Sequence, residues 1–239
     1  LEGLAKHNGP IYQPTWALAE VDADWPLDLA SHAGIEAQIA AIADDIAYDN
    51  HDLDDGIRAG LFTIEEITAA VPFVGEAWRA VTQRWPGVTA RRRLVPELVR
   101  EQIGRMTDDL LTATRARLAE LAPRSAGDVR AAGRTLVGFS ADFAGETRAL
   151  KQFLRATMYR HPKVAALRDP SEQVVARLFQ HLHADPAAMP GDWAGHCPAT
   201  EPARARHVSD FVAGMTDRYA LNLYERLIGP SPLPRDVIL

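Results

Sequence analysis

The sequence predicts an all-α protein, and two observations lead to this prediction. Segments with the three- and four-residue apolar spacing of helices follow one another along the chain, separated by short Pro- and Gly-rich stretches. No stretch alternates apolar and polar residues as a half-buried strand does, and no internal repeat is visible. A bundle of several helices is therefore the expected architecture.

The expected elements follow from these segments and their stop signals. Leu1 and Leu4 stand at helical spacing before a stop at Asn8-Gly9-Pro10, which indicates the end of a helix. Residues 10–31 contain three prolines and are expected to form a loop, as are residues 186–200. Helices are expected over about 32–60, 64–70, 74–85, 92–121, 140–160, 163–184, with a candidate break at Asp169-Pro170, and 202–228.

The composition narrows the classes of protein to which the chain could belong. It has 239 residues, of which 47% are hydrophobic and 24% charged, enough for one large domain or two small ones. The net charge of −6 gives no reason to expect nucleic-acid binding, although it does not exclude it, and the "ARRRL" run at 90–94 is too short to change that. No apolar run approaches the roughly 20 residues that span a bilayer.

Cys197 is the only cysteine, so the chain cannot form an internal disulfide. This fits a reducing compartment, and we expect a cytoplasmic protein. Cys197 lies in a Pro- and Gly-rich loop, where we expect it to be structural rather than a catalytic thiol.

The stretch "IEAQIAAIADDIAYDNHDLDDG", residues 35–56, combines an isoleucine stripe with many carboxylates. At about 100° per residue, the four isoleucines at 35, 39, 42 and 46 fall on one face. Asp44, Tyr48 and Asp52 lie nearly opposite, on a side shared with Ala37 and Ala41, where small residues would let another element approach. The solvent face is expected to carry Glu36, Ala43 and Asn50.

Two interpretations of these carboxylates remain open from spacing alone. The first is a solvated acidic face. The second is a metal site, because carboxylate oxygens suit Mg²⁺ or Mn²⁺. One helix supplies only one or two ligands in good geometry, so further ligands would have to come from elsewhere.

Four segments in order resemble the HD-superfamily deoxynucleoside triphosphate triphosphohydrolases, the deoxyguanosinetriphosphate triphosphohydrolase-like proteins. The most specific is "ADDIAYDNHDLDDGIRAG", and it is joined by "LEGLAKHNGP", "ALKQFLRATMYRHPKV" and "VSDFVAGMTDRYAL". Together they cover most of the chain. The resemblance implies that Asp44 is the last protein ligand of a divalent metal, Mg or Mn. It also implies that Tyr48 packs on the deoxyribose and that Asp52 binds the sugar 3′-hydroxyl.

The resemblance further implies a group of residues at the substrate phosphates and sugar. Lys6 matches a basic residue at the triphosphate. Lys151, Arg155 and Tyr159 are spaced i, i+4, i+8, so a regular helix would place them on one face. Several converging cations suit a highly charged anion, although a Lys/Arg stripe on a surface helix remains an alternative.

The implied function is metal-dependent hydrolysis of dNTPs, with dGTP-like substrates, to deoxynucleoside and triphosphate by an enzyme that is a homo-oligomer when intact. Residues 1–60 are expected to end the catalytic core, and residues 61–239 to complete the pocket and supply oligomer contacts. The family's upstream His and His-Asp ligands would precede Leu1, so we expect a fragment that is inactive alone. A helical regulatory or interaction module and another HD-type phosphohydrolase remain alternatives.

Overall fold

A computed structural model describes residues 1–233, and these residues form helices and connecting loops without a strand. The all-α prediction is confirmed. The helices are α1 Glu2–Ala5, α2 Trp16–Asp24, α3 Ile35–Arg58, α4 Ile64–Ala70, α5 Pro72–Arg84, α6 Arg91–Leu121, α7 Ala126–Arg130, α8 Ala141–Leu154, α9 Pro162–Ala184, α10 Asp192–Gly195, α11 Ala203–Ala213 and α12 Asp217–Leu227. A π-helical turn, Arg155–Tyr159, follows α8, and a 3₁₀ turn, Pro186–Ala188, follows α9. Within this described part, no helix is both long and apolar enough to cross a membrane.

The observed helices depart from the sequence expectation at several places. Residues 10–31 are not all loop, because α2 forms there with Thr15 as its N-cap. This helix buries no residue, so it has no apolar stripe that a sequence could reveal. The helix expected over 163–184 continues through Pro170 without a break. The short α7 and α10 were also missed, the latter inside an expected loop.

The helix expected over 202–228 is in fact two helices. Gly214 ends α11, and the Thr216 side chain accepts a hydrogen bond from the Tyr219 backbone N–H to begin α12. Gly214 therefore does not lie in the middle of a helix. The Thr216 hydroxyl thus pairs with one of the backbone N–H groups that are left without a partner in the first turn of α12.

The chain divides into two compact units, Leu1–Met158 and the part from Tyr159 onward. In the first unit, α3, α5, α6 and α8 surround an apolar core that includes Leu53, Leu98 and Leu150, all fully buried. In the second unit, α9 packs against α11 and α12. The division of roles at residue 60 stays a prediction.

The long helix α3 is rotated relative to the sequence expectation. Ile46 and Leu53 are buried as expected, but Ile39 is 48% exposed and Asn50, expected in solvent, is fully buried. The Asn50 amide donates to the Ile46 carbonyl at 2.7 Å and to the Met106 sulfur at 3.1 Å. The cause is packing, because α3 contacts α6 and α8 as well as α1, and this widens and turns its buried face.

Candidate functional site

Asp44, Tyr48 and Asp52 lie on one accessible side of α3. The helix is regular from Ile35 to Arg58, so residues four and eight apart share a side. Asp44 is exposed, Tyr48 is 62% exposed and Asp52 is partly buried. A ligand bound along this side of α3 could therefore contact all three side chains.

Helix α1 lies against this same part of α3. A Cβ on Gly3 would come within 3.0 Å of the Ala37 Cβ, so the approach depends on small residues on both helices. This fits the expectation that alanines on this side admit another element. The packing of α1 also places His7 close to Asp44, with 3.8 Å between the His7 Nε2 and the Asp44 Oδ2. The sequence reasoning did not identify His7 as part of the site.

Lys6 is held in a buried ion-pair network. Its side chain is inaccessible to solvent, and its ammonium donates to the Ser31 hydroxyl at 2.9 Å and to the Glu2 carboxylate at 3.2 Å. Arg130 donates to both oxygens of Glu2, at 2.8 and 2.7 Å. The Arg130 hydrogen bonds, with a further contribution from Lys6, outweigh burial and lower the pKa of Glu2 to about 2. The network anchors α1 and fixes Lys6.

A cavity of about 230 Å³ opens beside Asp44, toward the N-terminal end of α3. Among the described residues, the side chains of Asn8, His32 and Thr135 line this cavity without a hydrogen-bond partner. The only carboxylate in the lining is that of Asp45. The full lining is Lys6, His7, Asn8, Gly9, His32, Ala33, Gln38, Ala41, Ile42, Asp45, Thr135 and Val137. The cavity is therefore rich in groups that can donate hydrogen bonds to an anion.

Gln38 holds one wall of this cavity in place. Its amide nitrogen donates to the Ala33 carbonyl at 2.8 Å, and its amide oxygen accepts from the backbone N–H groups of Leu136 and Val137 at 2.8 and 3.1 Å. Gln38 is itself buried. A single side chain thus ties α3 to the segment that carries Thr135, and satisfies backbone groups that would otherwise be buried unpaired.

Lys151 reaches from α8 to the acidic side of α3. Its ammonium lies 3.0 Å from the Asp45 Oδ2 and 4.0 Å from the Asp49 Oδ2. Asp49 is 6% exposed, and burial raises its pKa to about 7; Lys151 opposes the rise, and Asp45 and Asp52 add to it. Asp49 is the one carboxylate of α3 that the fold buries most deeply, and the sequence reasoning did not single it out.

Arg155 and Tyr159 lie beyond the last residue of α8. Residues 155–159 form a π-helical turn, whose hydrogen bonds span five residues instead of the four of an α-helix. The regular α-helix expected through all three of Lys151, Arg155 and Tyr159 therefore ends at Leu154. Arg155 is exposed, and Tyr159, 45% exposed, belongs to the second unit. Their roles at a substrate stay predictions.

The donors around Asp44 match a divalent cation only in part. A carboxylate and a neighbouring imidazole are suitable ligand types. Among residues 1–233, however, no three His, Cys, Asp or Glu side chains are grouped as a metal site would require. The described residues therefore offer Asp44 and His7 as donors of suitable type but do not by themselves complete a metal site.

A pattern in the sequence could have identified Asp49 and Asp45. Asp49 stands three residues after Ile46 and seven after Ile42, which places it at the edge of the isoleucine stripe. Asp45 precedes it by one turn. A carboxylate at such an edge is partly buried, so it is stable only when it is paired with a cation or protonated. No comparable signal marks His7, because its position depends on how α1 packs.

Comparison with known proteins first gives the class. Residues 137–226 match the model of the phosphohydrolase-associated domain, a region that includes α8, α9, α11 and most of α12. This part of the chain is therefore similar to a domain that is associated with phosphohydrolases.

The comparison also gives relatives along nearly the whole chain. The chain is 48% identical over 235 residues to the deoxyguanosinetriphosphate triphosphohydrolase-like protein of Parvibaculum lavamentivorans, covering 95% of this chain and 59% of that protein. Proteins with the same description from Jannaschia sp. and Caulobacter sp. are 45% and 43% identical over 96% and 95% of this chain, and over 58% and 59% of their own lengths. The chain is a homologue of the deoxyguanosinetriphosphate triphosphohydrolase-like proteins, and the predicted resemblance is confirmed. It spans about 60% of the length of these curated relatives.

Proposed function

We propose that this chain forms part of a metal-dependent triphosphohydrolase that converts a dNTP to a deoxynucleoside and triphosphate. One observation supports this most directly. Going toward the N-terminus of α3, Asp52, Tyr48 and Asp44 are followed by Ala41 and Gln38, which line the donor-rich cavity. Each turn advances about 5.4 Å, so these groups extend along a line that suits an elongated ligand.

A dNTP fits this line in one direction. With its sugar at Tyr48 and Asp52 and its α-phosphate at Asp44, its outer phosphates would extend into the cavity, toward His7 and the other polar side chains of its lining. The Lys6 ammonium is buried and bonded to Glu2 and Ser31, so direct contact with a phosphate would require it to leave these partners. Lys151 and Arg155 would add positive charge to hold the triphosphate. The relatives' description as triphosphohydrolase-like proteins supports this substrate class.

The reaction is a displacement at phosphorus. Water attacks the α-phosphorus, the bond from that phosphorus to the 5′-oxygen breaks, and the 5′-oxygen takes a proton as the deoxynucleoside leaves. A divalent cation, Mg²⁺ or Mn²⁺, would when bound polarise the α-phosphate. Asp44 would hold that cation together with ligands from outside the described residues. The complete enzyme would be this chain together with the portion that supplies those ligands. We further propose that it is a homo-oligomer and is cytoplasmic.

The direct test compares the 239-residue chain with the complete enzyme. We expect the chain alone to release no triphosphate from dNTPs with Mg²⁺ or Mn²⁺, because one protein carboxylate binds a divalent ion weakly. The complete enzyme should release triphosphate stoichiometrically with deoxynucleoside. Robust hydrolysis by the chain alone would contradict the proposed division of the metal site, and release of monophosphate or pyrophosphate would indicate another HD-type phosphohydrolase.

Sugar discrimination tests the roles of Tyr48 and Asp52. Asp52→Ala in the complete enzyme should lower kcat/KM for dNTPs roughly ten- to a hundredfold, since losing a charged partner of a hydroxyl costs about 1.5–3 kcal/mol. Tyr48→Ala should instead narrow the gap between dGTP and GTP, because the ring would no longer exclude a 2′-hydroxyl. The measurement is kcat/KM for matched deoxy- and ribonucleotides. An unchanged deoxy/ribo ratio in Tyr48→Ala together with an unchanged rate in Asp52→Ala would place the sugar elsewhere.

A further inference from the structure

Lys151 has two carboxylates within reach, and they differ in surroundings. Its ammonium lies 3.0 Å from Asp45, which lines the donor-rich cavity, and 4.0 Å from Asp49, which is buried against the helix core. The side chains of Lys151 and Asp45 are 46% and 52% exposed. Lys151 can therefore be held either toward the cavity or toward the interior of the α3–α8 contact.

We propose that Asp45 is a positioning residue that holds the Lys151 ammonium at the edge of the cavity, ready to meet an entering polyphosphate, instead of letting it turn to Asp49. The inference rests on the proposed function for its ligand. Asp45 is the only carboxylate of the cavity lining, and its negative charge by itself would repel an anion that enters the cavity. The contact of Asp45 with Lys151 explains why a carboxylate can stand in a cavity that binds an anion.

The charged groups that face Asp49 make it a reporter of where Lys151 lies. They are Lys151 from α8, which lowers the pKa of Asp49, and Asp45 and Asp52 from α3, which raise it together with burial. From α6, Met106 contacts the adjacent Asn50 without adding charge. A closer Lys151 would lower the pKa of Asp49 further.

The experiment compares Asp45→Ala with Asp45→Asn in the 239-residue chain. Both variants remove the charge of Asp45, but only Asn keeps an oxygen that can accept a hydrogen bond from Lys151. Carbon-13 NMR titration of the Asp49 carboxyl reports the position of Lys151 without any ligand. Calorimetry with inorganic triphosphate reports binding. Both side chains of the pair are half exposed, so neither variant should disturb the fold, which circular dichroism checks.

We expect the pKa of Asp49 to be lower in Asp45→Ala than in Asp45→Asn, because Lys151 turns inward when its outer partner is lost. We expect triphosphate to bind roughly two- to fivefold more weakly to Asp45→Ala than to Asp45→Asn, which is the range that exposed ion pairs contribute. Equal Asp49 titrations in the two variants would overturn the positioning role. A difference in titration without triphosphate binding to any form, the unmodified chain included, would overturn the role toward an anion and with it the proposed use of the cavity.

Discussion

Asp44→Ala should abolish dNTP hydrolysis in the complete enzyme and lower its content of divalent metal, while the fold stays intact. The side chain of Asp44 is 55% exposed and faces away from the apolar core, so its removal creates no cavity. A metal ligand acts on charge that develops in the transition state, where its loss removes several kcal/mol of stabilisation. Triphosphate release and metal analysis of the purified variant measure the two effects.

The matched control for Asp44 is Asp55→Ala. Asp55 is an exposed carboxylate on the same helix, three turns further toward the C-terminus, and belongs to neither the cavity nor the proposed sugar site. Asp55→Ala should keep full activity and metal content. If Asp44→Ala turned over dNTPs at the normal rate with full metal occupancy, Asp44 would not be the ligand.

Asp49→Asn should make the chain more stable at pH 8 but not at pH 4. Folding raises the pKa of Asp49 from 3.8 to about 7, so the folded protein binds this proton more tightly than the unfolded chain. The penalty for ionising the buried group is therefore absent below the unfolded pKa, grows as the pH rises from about 4 to 7, and is complete above that range. Asparagine is nearly the same size and is never charged.

At pH 8 the gain in free energy of unfolding should be about 2 kcal/mol, less than the full conversion of the pKa change because the amide that replaces the carboxyl is itself buried and needs hydrogen-bond partners. Urea unfolding at pH 8 and pH 4 measures it. Lys151→Met provides the opposite case, since it removes the one cation that favours ionised Asp49, and should steepen the loss of stability between these two pH values. Equal stability of Asp49→Asn and the unmodified chain at pH 8 would mean that the Asp49 carboxylate is solvated.

The sequence alone determined the helical class and most helix positions, because these depend on local rules. Apolar spacing marked α3, α4, α5 and α6 to within a few residues, and Pro162 marked the boundary between the helices expected over 140–160 and 163–184. It also placed Asp44, Tyr48 and Asp52 on one side of α3, since a regular helix fixes that relation by geometry. The resemblance to the triphosphohydrolase-like proteins rested on the same continuous stretch.

Only the tertiary structure decided which face of α3 is buried and what meets it. Burial of Asn50 and Asp49 follows from the packing of α6 and α8, and the proximity of His7 to Asp44 follows from the packing of α1. The π-helical turn at residues 155–159, where the α-helical geometry of α8 ends, likewise lies outside what a fixed period can predict. Periodicity describes a helix relative to its own axis, whereas burial, pKa and the neighbours of a side chain depend on contacts between residues far apart in sequence, such as Lys6 with Ser31 and Asp45 with Lys151.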